Sequence, residues 1–104
     1  MASSSDTPVL DLLATITAES VEASTLGDRE LMLVRIAALV AVDAPPSSYL
    51  LNAGAASDAG IDVEQVRGIL AAIAPIVGTA RIAAALGNIV RALGIALEVA
   101  DDED

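Results

Sequence analysis

Residues 62–99 read DVEQVRGILAAIAPIVGTARIAAALGNIVRALGIALEV. Asp62 followed three residues later by Gln65 is a capping-box pattern, in which each side chain satisfies the other residue's free backbone N–H at a helix start. Apolar residues then recur at Val63, Val66, Leu70 and Ile73, the spacing of one helical face. Pro75 lacks an N–H and Gly78 frees the backbone, so the pair predicts a break or kink before a last helix over about 79–99. On a wheel of about 100° per residue, Ile82, Leu86, Ile89, Val90, Leu93 and Leu97 share one arc, with Arg81, Asn88, Arg91 and Glu98 on the other side. Ala83, Gly87 and Gly94 lie between. A helical glycine costs about 1 kcal/mol relative to alanine, so two of them predict that another backbone passes close by.

Upstream the same signals repeat. Thr7 offers a cap with Pro8 at the first helical position, and apolar residues at 9, 10, 12, 13, 16 and 21 predict a first helix over about 8–24. Gly27 punctuates, Asp28 is read as the next N-cap, and Glu30 sits in a first turn where the helix dipole favours an acid. From Leu31 to Val42 only Arg35 is polar, which predicts a helix buried on every side. Pro45 and Pro46 end it and start a third helix over about 46–59, which Gly60 stops. The expectation is a single all-α domain of about five helices spanning 1–104, with a loose lead at 1–6 and a solvated acidic tail at 100–104.

Composition narrows what such a bundle does. The 104 residues contain no Cys, His, Lys, Phe or Trp. That removes thiol redox chemistry, disulfides, Cys/His zinc sites, His-based triads and Schiff bases; no metal and no cofactor is expected. Five scattered arginines face fifteen acids, for a net charge of −10, so no basic stripe is available for nucleic acid. The best charge-free apolar run, 68–80, is 13 residues and contains Pro75 and Gly78, whereas a membrane span needs about 20 apolar residues. The first residues, MASSSDTP, lack a positive region and an apolar segment, so the expected location is cytoplasmic. Mean hydropathy is +0.67, yet 22 of the 57 hydrophobic residues are alanine, which removes little apolar area from water. A helical subunit that buries its remaining apolar faces against copies of itself reconciles the two.

The stretches DRELMLVRIAALVAV, SYLLNAGAASDAGIDVEQVRGIL and APIVGTARIAAALGNIVRAL resemble the carboxymuconolactone decarboxylase family, which includes the AhpD-type alkylhydroperoxidases. The resemblance covers 28–97, about two thirds of the chain. It implies the AhpD-like helical fold and assembly as trimers or hexamers. In redox members of that family the third helix begins with CxxC and carries a His one turn after the second Cys. Counting back eight residues from Gly60, the family's offset, puts Asn52 at the His position, Ser48 at the second Cys and Pro45 at the first. Peroxide reduction through a disulfide and His-assisted decarboxylation therefore do not carry over.

What remains near that position is Ser47, Ser48, Tyr49 and Asn52, with Glu30 and Arg35 one helix earlier. A hydroxyl without a base is a poor nucleophile. Glu30 would serve as a base only if burial raised its pKa, and its place at a helix start is explained by the dipole alone. Arg35, on an otherwise apolar helix, must be paired or reach water; it would grip a carboxylate ligand or an acid of a neighbouring helix or subunit. Two readings follow. One is a non-catalytic oligomeric structural or binding module whose ligand, a small acid, meets Arg35, Ser48 and Asn52. The other is a small-molecule enzyme, a lactone decarboxylase-like lyase, using Glu30, Arg35 or Tyr49 in place of Cys and His, with Ser48 and Asn52 as further candidates. A cavity where Arg35 and Glu30 converge with Ser48 or Asn52 would favour chemistry.

Overall fold

The structure, a computed structural model, describes residues 6–102, with side chains as far as Leu93. The described residues form five helices and no strand: α1 Pro8–Ala23, α2 Asp28–Ala41, α3 Pro46–Asp58, α4 Val63–Val77 and α5 Thr79–Asp102. The loose lead expected at 1–6 falls almost wholly outside the described residues, and so does the end of the acidic tail. Helix α5 runs three residues beyond the expected Val99.

Local chemistry sets the joints. Asp62 Oδ1 accepts from the Gln65 N–H at 2.9 Å and Gln65 Oε1 accepts from the Asp62 N–H at 3.1 Å, so the capping box forms as read. Helix α3 ends in a Schellman motif: the Gly60 N–H donates to the Ser57 carbonyl and the Ile61 N–H to that of Ala56, with Gly60 at φ 81°. Helix α2 ends the same way, before the prolines expected to stop it. Asp43 takes the left-handed position at φ 57°, its N–H donating to the Val40 carbonyl and that of Ala44 to the Leu39 carbonyl. Asp28 is not an N-cap but the first residue of α2, with Gly27 before it and no side-chain cap bond. Pro75 does not break α4, which continues to Val77. The break falls at Gly78, where φ 88° and ψ 162° suit only glycine.

The core is small. Val40, Ala44, Tyr49, Leu70, Ala85 and Ala92 form one buried cluster, with Val40 fully enclosed at 0% exposure. Helix α2 is not buried all round: Met32, Ile36 and Val40 form a single inward stripe, while Val34 and Val42 face out. On α5 the inward side is Ala85 and Ala92, at 2% and 5% exposure, with Ile82 and Ile89 half-buried beside them. Leu86, Val90 and Leu93 point outward. The predicted apolar arc is therefore split: its edge at Ile82 and Ile89 packs inward beside Ala85 and Ala92, which the arc did not include, and Leu86, Val90 and Leu93 are left open. Asn88, expected on the polar side, borders the inward one and donates from Nδ2 to the Ala44 carbonyl at 3.2 Å, tying α5 to the α2–α3 joint. Gly87 meets no backbone: a Cβ there would have nothing within 4 Å.

Helix α1 buries no residue. Arg35 holds it to α2, donating from Nη2 to Ser20 Oγ at 3.1 Å and to the Thr17 carbonyl at 3.5 Å. The radius of gyration, 15.0 Å, exceeds the roughly 13 Å of a compact chain this long.

Candidate functional site

Helix α3 begins at Pro46, whose missing N–H is harmless in a first turn. That start fixes the helical phase and places Tyr49 and Asn52, three residues apart, on one side. Ala53 and Ala56 continue that side with methyl groups only, so α3 leaves space facing α4 and α5. The space is a cavity of about 240 Å³. Its walls are mainly apolar, with Ile36 from α2, Val66 from α4, and Ile89, Ala92 and Leu93 from α5.

Polar groups are few. Tyr49 is 8% exposed, and its hydroxyl is buried with no hydrogen-bond partner, alone in this among the described side chains. Burial first, and the Asp43 carboxylate second, push its pKa above the ordinary 10.0 by disfavouring the phenolate. Tyr49 is thus a neutral phenol across the physiological range. Asn52 is half-buried and donates from Nδ2 to the Ser48 carbonyl at 2.9 Å, leaving Oδ1 without a protein donor among the described residues. Ser57 and the capping Asp62 complete the polar lining.

Of the residues singled out from sequence, Tyr49 and Asn52 meet at this cavity; Glu30, Arg35 and Ser48 do not line it. Arg35 is spent on α1. Glu30 is exposed and folds back over Gly27, its Oε2 lying 3.0 Å from where a glycine Cβ would stand. Ser48 is half-buried and reaches the site only through the carbonyl that holds Asn52. Asp62 and Ser57 were missed as cavity residues. The sequence marks them as a helix cap and a helix end, and only the Schellman turn at Gly60 folds both toward the same space.

No cluster of three or more metal-ligating side chains occurs among the described residues, and no helix there is long and apolar enough to cross a membrane. Comparison of the chain with protein-family profiles, with curated proteins and with solved structures finds no match.

Proposed function

We propose that this chain is a cysteine-free, non-catalytic relative of the carboxymuconolactone decarboxylase group that self-associates and binds a small, neutral, largely apolar molecule in the cavity beside Tyr49. The observation that carries the binding reading is a mainly apolar cavity lined by Asn52, whose Oδ1 has no protein donor among the described residues. A ligand with one hydroxyl gains a hydrogen bond there and keeps its apolar body against the walls. The five-helix order and the capped α4 support the family reading. Separation of Glu30 and Arg35 from Tyr49 and Asn52 supports a binding role over catalysis, because the base and the cation expected to act with them lie outside the cavity.

A small acid, the ligand expected from Arg35, has no cation to meet in this cavity, whose carboxylate at Asp62 repels anions. A neutral phenol or alcohol suits it better. The self-association reading is supported by Leu86, Val90 and Leu93 standing outward on α5 and by an α1 that buries nothing. The family resemblance implies trimers or hexamers.

Calorimetric titration with p-cresol and toluene tests the binding reading, since the two differ by one hydroxyl. p-Cresol is expected to bind about tenfold tighter, the equivalent of one hydrogen bond of about 1.4 kcal/mol. Equal affinities, or no heat from either at millimolar concentration, refute it.

A further inference from the structure

Helix α1 has all the features of a packed helix except a partner. Val9, Leu12, Leu13 and Ile16 make one stripe at helical spacing, and Val9 is 67% exposed. Its polar groups ask for nothing: the Thr15 and Thr17 hydroxyls donate back to the Asp11 and Leu13 carbonyls of the same helix. Its charges, Asp11, Glu19 and Glu22, are all negative. Across the molecule, α5 presents the complementary surface. Leu86, Val90 and Leu93 stand outward, Val90 at 65% exposure, and Gly87 beside them offers a smooth flank with open space above it.

We propose that α1 is an exchange arm: its apolar stripe packs on the Leu86–Val90–Leu93 face of α5 in a second copy of this chain, while the acids of α1 and the arginines of α5, on the far sides of the two helices, stay in solvent. The area supports this. The four large apolar side chains of the α1 stripe and the three exposed on α5 among the described residues are each about half open or more. At roughly 90 Å² apiece, a two-fold pair that exchanges both arms removes about 1,260 Å² in all, at the lower end of specific interfaces. Each copy gives one arm and receives one, and the exchange closes when a two-fold axis relates the copies. The inference rests on the self-association proposed above, and adds which faces meet.

The natural absence of cysteine makes the test clean. The mass of the full chain is first measured by light scattering at micromolar concentration. Two single-cysteine chains of α1, Leu12→Cys and Ile16→Cys, are then each mixed with an affinity-tagged Val90→Cys chain and oxidised. A disulfide needs Cα atoms within about 7 Å, so two α1 positions one turn apart cover the register. The expected result is an oligomer in which the mixed α1–α5 cross-link predominates over both same-site cross-links. An oligomer that links Ile16→Cys to itself, or Val90→Cys to itself, or neither, overturns the exchange arm and leaves self-association standing. A monomer overturns both. All substitutions fall at exposed positions, and circular dichroism of each variant confirms that its helix content is unchanged.

Discussion

Replacing Tyr49 by Phe is expected to stabilise the protein, against the usual sign for a core substitution. The ring sits in the main cluster with Val40, Leu70 and Ala85, and Phe keeps every apolar contact of that ring. Only the hydroxyl is lost, and it is buried with no partner. Such a group forfeits its hydrogen bonds to water on folding at a penalty of about 1–3 kcal/mol. A small space left by the oxygen offsets some of this, so a net gain of about 1–2 kcal/mol is expected. For a domain of this size that raises Tm by roughly 5–10 °C. Urea unfolding followed by far-ultraviolet circular dichroism measures it, because Tyr49 is the one aromatic residue and its loss abolishes fluorescence. Protein concentration is held fixed, since self-association makes Tm concentration-dependent. The midpoint should rise at constant slope. Destabilisation by 1 kcal/mol or more would refute the reasoning, as it would mean that a buried water or another group bonds the hydroxyl. The same variant should keep the preference for p-cresol over toluene, because a hydroxyl with no accessible surface takes no part in binding.

The phenol's raised pKa sets a pH dependence. Between 10.0 and the higher native value the unfolded chain loses the Tyr49 proton first, so it binds fewer protons than the folded one and stability falls as pH rises through that window. Tyrosinate absorbance should titrate above 10.0, and Asp43→Asn should lower the native value only partly, because burial is the larger cause. Gly78→Ala should cost about 1–3 kcal/mol in denaturant unfolding, since φ 88° with ψ 162° is a region closed to side chains. Asp62→Ala should cost about 1 kcal/mol by losing the cap at Gln65. Gly87→Ala has the opposite sign: with nothing near its Cβ and ordinary helical backbone, alanine should add about 0.5–1 kcal/mol to the stability of the single chain.

Helix boundaries were legible where one residue dictates the backbone. Asp62 with Gln65 starts α4, and Gly60 ends α3 in the only conformation that closes its Schellman bonds. Asp43 escaped because the left-handed position that glycine usually marks is filled by an acid, which tolerates it at some strain. Of the pair Pro75 and Gly78, the glycine supplies the break before α5, while Pro75, which removes a single donor to residue 71, sits inside the last turn of α4. In the candidate site, Tyr49 and Asn52 were readable as polar residues at one helical spacing. Arg35 was readable as a guanidinium needing partners, but periodicity holds no information about which neighbour supplies them, and Ser20 of α1 does.

Helix α5 shows why the remaining step could not come from sequence. Its apolar residues fill an arc of about 160° on a 100° wheel once Ala85 and Ala92 are counted with the leucines, wider than one neighbouring helix covers. Hydropathy alone ranks Leu86, Val90 and Leu93 as the inward side. Packing chooses Ala85 and Ala92 instead, because small side chains let α3 approach closely and Tyr49 fill the layer between. Helix α5 thus turns Ala85 and Ala92 to the core and leaves Leu86, Val90 and Leu93 exposed, which is a poor arrangement for a monomer in water. Among the described residues fifteen large apolar side chains are exposed, alongside a mean hydropathy of +0.67. A second copy covering α5, as proposed, would convert the same arrangement into a favourable one, with alanine at the helix contacts within a chain and leucine between chains.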